Sequence, residues 1–154
     1  MRTKKLPPIE KVIRHRGEVL LLDDVIEHAD EYTAALVDLS QKKWLQRNDG
    51  TTPSWVAIEY MAQCIAVHEG LYSHTHDQST YGGFLITVKS LEMFVEEFGA
   101  NARLRVEARP IRGRPGLGAL SHECSIYLAD EEVSERSLLA RGRLSIFIDA
   151  SSGE

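Results

Sequence analysis

PSWVAIEYMAQCIAVHEGLYS, residues 53–73, is the one long helical pattern in the chain. Trp55, Ile58, Ala62, Ile65 and Ala66 recur three and four apart, the spacing of one helix face. Pro53 suits the first helical position, where its missing N–H would have no partner, and Thr52 before it can cap the run. A helix of about 20 residues would be roughly 30 Å long. One residue interrupts the apolar stripe. Glu59 lies four residues after Trp55 and three before Ala62. A buried, unpaired carboxylate is costly unless it is hydrogen-bonded or takes up a proton. Spacing leaves two readings. Glu59 is a structural residue bonded to backbone or to Gln63 one turn later, or it is a general acid or base whose pKa burial raises toward neutrality.

Strand patterns surround this helix. Residues 18–28 and 31–39 read as strands, with a tight turn at Asp30 and Glu31. Residues 9–14 suggest one short helix, and 40–52 a long polar loop. After the helix and the polar run HTHDQSTYGG come strands only: 83–98, 101–109, 119–129 and 136–149. In NARLRVEAR, residues 101–109, Ala102, Leu104, Val106 and Ala108 face one way and Arg103, Arg105, Glu107 and Arg109 the other. The order predicts an α+β domain over residues 9–149, with four strands in hairpin succession after the helix. The antiparallel sheet would wrap the helix, and residues 1–8 and 150–154 would be loose tails.

Bulk composition narrows the function. The 154 residues are 43% hydrophobic and 27% charged, the balance of a folded globular domain. The net charge of −5 argues against nucleic acid as a partner. No apolar run follows the basic N-terminus, so no signal peptide is expected, and no stretch is apolar enough to span a membrane. Cys64 and Cys124 sit in apolar runs far apart, as buried free thiols of a cytoplasmic protein would. No motif calls for a metal, a nucleotide or another cofactor.

The stretch PSWVAIEYMAQ resembles the helix motif of bacterial 3-hydroxyacyl-acyl-carrier-protein dehydratases of the hot-dog superfamily. There a Pro precedes the catalytic Glu of an E-x-M-A-Q sequence by six residues, and Pro53, Glu59, Met61, Ala62 and Gln63 match. RHRGEVLLLDDV, residues 14–25, resembles the family's P-H-R-x-x-x-L-L-x-D segment. His15, Arg16, Leu21 and Asp23 are kept, with Arg14 in place of Pro. The resemblance runs from about residue 9 to 148 and extends to dehydratase-like proteins of aryl polyene and related lipid pathways. It implies a hot-dog fold with the sheet around one central helix, and dimerisation.

The same resemblance implies lyase chemistry on acyl thioesters of an acyl carrier protein, with Glu59 as the catalytic carboxylate. Pro53, Ser54, Trp55, Gln63, Gly83 and Phe84 would line the substrate site. Two positions depart from the pattern. The family's catalytic His lies 14 residues before the Glu, where this chain has Leu45, and the Gly after the helix Pro is Ser54. A His-bearing paralogue in a heterodimer would then supply the missing group. Alternatively His15 substitutes for it in a homodimer. Hot-dog thioesterases use a helix carboxylate alone, so Glu59 would also suffice for thioester hydrolysis. A non-catalytic partner subunit is a further alternative.

The remaining polar residues offer less. His68 reads as a solvated or capping residue and His122 as an outward strand residue. His74 and His76 lack further metal-ligating residues at suitable spacing. Arg103, Arg105, Arg109, Arg112 and Arg114 form a local basic run. It is either a solvated strand face and turn, or, through Arg109, Arg112 and Arg114, a dock for an acidic carrier protein or its pantetheine phosphate. Trp44, Trp55, Tyr60 and Phe84 are core residues or the walls of an acyl tunnel.

Overall fold

Alternation of apolar and polar residues builds one curved face for the helix. The computed structural model describes residues 6–75, 84–111, 119–132 and 137–148. Its strands in chain order are β1 (Asp24–Ala29), β2 (Tyr32–Asp38), β3 (Thr52–Pro53), β4 (Phe84–Met93), β5 (Glu97–Phe98), β6 (Arg103–Ile111), β7 (Ala119–Leu128) and β8 (Leu138–Ile148). Six of them form an antiparallel sheet in the order β1-β2-β6-β7-β8-β4, while β3 and β5 pair separately. One long helix, α1 (Ala57–Thr75), lies on β2, β6 and β7. This is the expected hot-dog architecture.

The core sits between α1 and the sheet. Tyr60, Met61, Cys64, Val67 and Leu71 of α1 meet Ala35 and Val37 of β2, Leu104, Val106 and Ala108 of β6, and Ile126 of β7, all buried. Cys64 and Cys124 are buried free thiols, and burial pushes the Cys124 thiol up to about 12. On the outer face long side chains close over the strands in ion pairs. Arg105 bonds Glu107 and Glu27, Arg141 bonds Glu92, and Arg143 bonds Glu123. Arg105 and Glu107 are therefore buried although they alternate away from the helix.

Several expectations need correction. Residues 18–23 are not strand: Gly17–Val19 is a 3-10 turn, and β1 begins at Asp24. The short helix at 9–14 is a 3-10 turn at Ile9–Lys11. Thr52 does not cap the helix. It pairs with Phe98 in the small sheet, and its buried Oγ1 has no hydrogen-bond partner among the described residues. A 3-10 turn at Ser54–Val56 leads into α1 instead. The strand expected over 83–98 breaks at Phe94–Glu96, between β4 and β5. Nor are the later strands all hairpin neighbours: β6–β7 and β7–β8 are, but β4 crosses to the far edge and pairs with β8. Alternation reveals which residues point inward, not which strand lies next to which. Of the tails expected at 1–8 and 150–154, residues 1–5 and 150–154 lie outside the described residues, and Leu6 packs against the core.

Residues 9–22 pack against α1. Ile9, Ile13, Leu21 and Leu22 are buried there. Val12 comes so close to Gly70 that a Cβ on the glycine would lie 2.9 Å from the Val12 carbonyl oxygen. Among the described residues no helix is long and apolar enough to cross a membrane.

Candidate active site on the open face of the central helix

The helix face carrying Glu59 is not the core face. Trp55 is 67% exposed, Ile58 and Ala62 are half-buried, and the Glu59 side chain is 51% exposed. The apolar stripe read from Trp55 to Ala66 therefore joins two faces: Ile65 and Ala66 are buried, but its first turns face outward. The true inward set is shifted by one or two positions, to Tyr60, Met61, Cys64 and Val67. The deep burial inferred for Glu59 is thus corrected. Its carboxylate lies at an open surface on which Trp55 and Val19 are exposed apolar side chains.

Glu59 is nevertheless held. Gln63, one turn later and fully buried, donates from Nε2 to Glu59 Oε1 at 3.0 Å. The same amide donates to the Val19 carbonyl at 2.6 Å, and its Oε1 accepts from the Leu21 N–H at 2.9 Å. The last two bonds tie α1 to residues 19–21. Gln63 was expected to contact substrate; it is buried and bonded to three protein groups, one of them the Glu59 carboxylate. Gln63→Leu should leave the buried Leu21 N–H unpaired and lower stability by about 2 kcal/mol. Urea unfolding measures this, and an unchanged midpoint would contradict the clamp.

His15 is the other expected site residue, and it lies beside Glu59. Its Nε2 is 3.9 Å from Glu59 Oε1, with the ring 37% exposed. Its Nδ1 is buried without a hydrogen-bond partner among the described residues. Arg16 braces this turn by donating to the carbonyls of Ile13 at 2.6 Å, His15 at 2.8 Å, and Glu10.

The other expected residues divide. Pro53 and Ser54 are buried, and the Ser54 N–H is taken by the Glu96 carbonyl at 3.1 Å, so it is not a donor for substrate. The first amides of the helical run after it have no intrahelical partner by geometry. Gly83, Arg112 and Arg114 lie outside the described residues. Phe84 begins β4, and its side chain lies outside them as well. Arg109 is exposed, bonds Glu107 at 3.3 Å and stacks over Tyr32. Arg103 pairs with Asp130, so the described part of the basic run is largely neutralised. Tyr60 is plain core against Phe98, whereas Trp44 and Trp55 are exposed, so these aromatics form no common wall in the chain alone.

Two histidines contradict their sequence reading. His68 and His122 are fully buried, at 1% and 0% exposure. Thr33 Oγ1 lies 2.8 Å from Nδ1 of both His28 and His68, and His122 Nε2 lies 2.8 Å from Glu69 Oε1. Burial pushes the His68 pKa down to about 4 and also lowers that of His28. Spacing held the signal. His68 follows Met61 by seven and Cys64 by four, and His122 alternates with the inward Cys124 and Ile126. Among the described residues no cluster of His, Cys, Asp or Glu is placed to hold a metal.

Comparison with known proteins bears on the fold and the family. The Xenorhabdus doucetiae dehydratase heterocomplex ApeI:P contains a chain with the same fold, at a TM-score of 0.82 and 21% identity over 97% of this chain and 95% of that one. A mutant of the phenylacetic acid degradation protein PaaI from Thermus thermophilus is more distant, at 0.54 and 13% over 80% and 90%. The acetyl-CoA-bound smu.793 of Streptococcus mutans gives 0.55 and 9% over 82% and 87%. No curated protein matches the chain. The family profile described as ApeP dehydratase matches residues 7–152, so the chain belongs to the ApeP-like dehydratase family.

Proposed function

We propose that the chain is a dehydratase subunit acting on 3-hydroxyacyl thioesters of an acyl carrier protein, with Glu59 as its catalytic carboxylate. The observation that carries the reading is the clamp: Gln63 fixes Glu59 at an open face, in a chain of the dehydratase family. Dehydration removes a proton next to the thioester carbonyl and expels hydroxide from the β-carbon as water. Glu59 contacts the β-hydroxyl and, once protonated, gives a proton to the leaving oxygen, which departs as water. The amides of Trp55 and Val56, at the start of the helical run, polarise the thioester oxygen. The base is a His on a hot-dog paralogue that covers the face of Trp55, Ile58 and Ala62. The absence of a His from residues 40–53 and the heterocomplex character of ApeI:P support this arrangement. The outer edge of β4, with Thr87–Ser90 exposed, offers unpaired backbone groups for the partner's sheet. Buried free thiols suit a cytoplasmic setting.

One distance favours a second reading. With His15 Nε2 at 3.9 Å from Glu59, His15 itself is the base and a homodimer suffices. A product assay tests both. The purified chain, alone and mixed with the His-bearing paralogue, is given a 3-hydroxyacyl pantetheine thioester, and enoyl product and free thiol are followed. Enoyl product only in the mixture supports the shared site, and enoyl product from the chain alone supports His15. Free thiol would replace dehydration with hydrolysis, and no product in either sample would reduce the chain to a non-catalytic subunit.

Carrier docking is proposed for Arg109, Arg112 and Arg114. Arg112→Glu combined with Arg114→Glu should weaken carrier-protein binding roughly tenfold at low ionic strength, and less as salt screens the charges. Binding unchanged at low salt would remove these residues from the dock.

A further inference from the structure

Residues 9–22 form a strap fixed to α1 at two places. Downstream, Gln63 bonds the Val19 carbonyl and the Leu21 N–H. Upstream, Val12 rests on Gly70. A Cβ there would meet Val12 Cγ1 and the Val12 carbonyl oxygen, each at 2.9 Å, closer than side chains pack, and the oxygen belongs to backbone that cannot turn aside. Only glycine lets the strap lie this low on the helix. Between the anchors the strap turns at Gly17, whose φ of +59° is the left-handed region. Residues 13–16, just before the 3-10 turn at Gly17–Val19, have no regular secondary structure, and the Arg16 guanidinium holds them by donating to the carbonyls of Glu10, Ile13 and His15. That turn carries His15, and His15 is the strap's contact with the Glu59 carboxylate.

We propose that Gly70 and Arg16 are positioning residues for Glu59. Gly70 sets the height of the strap over α1, Arg16 fixes the shape of its turn, and together they set the His15–Glu59 separation. Neither touches the carboxylate. Gly70 is three turns along the helix from Glu59 and reaches it only through Val12 and His15. This proposal rests on Glu59 being the working carboxylate, but it concerns a geometry that can be read without turnover.

The test uses two readouts. The first is the His15 imidazole resonance in the full chain, with and without Glu59→Gln. Loss of a charge beside the ring should move this resonance in the wild-type background. In Gly70→Ala and Arg16→Gln backgrounds the response should fall by at least about half, because the two side chains no longer meet at the same distance. An unchanged response in both backgrounds would overturn the proposal. The second readout is dehydration kinetics, where misplacement should lower kcat roughly tenfold or more with KM little changed. Alanine favours a helix over glycine, so Gly70→Ala should keep α1 intact. Arg16→Lys is the second variant. It keeps the charge but not the forked grip on three carbonyls, and it should behave like Arg16→Gln. Full rescue by lysine, in resonance and rate, would assign the effect to charge and overturn the positioning role. If Glu59→Gln itself keeps full turnover, the catalytic reading falls, while the imidazole response still decides the positioning.

Discussion

Glu59→Gln is expected to lower dehydration turnover by roughly 10²–10⁴-fold, the usual range for losing a general acid or base. The fold should survive. The side chain is 51% exposed, so no core packing is lost, and a glutamine carbonyl can still accept the Gln63 amide hydrogen as Glu59 Oε1 does at 3.0 Å. The variant differs from wild type in one respect: its amide cannot exchange a proton with the substrate. Steady-state kinetics on a 3-hydroxyacyl pantetheine thioester, paired with a thermal unfolding curve, separates chemistry from stability. A large loss of rate with an unchanged midpoint is the predicted result. Unchanged turnover would remove Glu59 from the mechanism, and a collapsed midpoint would make it a structural residue.

The second large effect concerns acid stability. His68 is buried, and its pKa is pushed from the usual 6.5 down to about 4, chiefly by loss of solvation. As pH falls through 6.5, the unfolded chain takes up this proton while the folded chain does not. Stability is therefore whole above about pH 6.5 and declines until about pH 4, where the folded form also protonates. The interval is 2.5 units, 6.5 minus 4, which corresponds to about 3 kcal/mol. His28 is shifted in the same direction and adds to the effect. The neighbourhood explains the direction. His28 and His122 ring centroids lie 5.4 and 6.0 Å from that of His68, so a charged His68 would face other imidazoles, against the opposing pull of Glu69 and Asp30. His68→Gln keeps an amide for Thr33 but removes the titration. Denaturant unfolding at pH 7 and pH 4 should show wild type losing about 3 kcal/mol more than the variant. Parallel losses would mean that His68 is not the acid-sensitive group.

The helix and its place in an α+β hot-dog fold were legible in the sequence because they rest on local patterns, and the family was legible through the resemblance of the motif around Glu59. Pro53, Glu59 and the Met61–Gln63 run lie within eleven consecutive residues. What is non-local was not legible. The stripe through Trp55, Ile58 and Ala62 is apolar, and apolarity does not say whether this chain's sheet or another subunit covers it; here Trp55 stays 67% exposed. Gln63 belongs to the motif, yet its partners Val19 and Leu21 lie more than forty residues away, so its role as a clamp appears only in three dimensions. The buried histidines are a different failure. His68 repeats the helical spacing of Met61 and Cys64, and His122 the alternation of Cys124 and Ile126. The signal is present in the period, and the polarity of the imidazole masks it. The placement of β4 beside β8 depends on a crossover that no local pattern encodes.

The central claim is that Glu59 belongs to a dehydratase site completed by a second hot-dog subunit. A complementation titration tests it most directly. The chain is added in increasing amounts to a fixed quantity of the His-bearing paralogue, and enoyl product from a 3-hydroxyacyl pantetheine thioester is followed. Activity should rise until the two subunits are equimolar and then level off, and the Glu59→Gln chain should bind the paralogue without restoring activity. Full activity from the paralogue alone, or full restoration by the Glu59→Gln chain, would contradict the shared site.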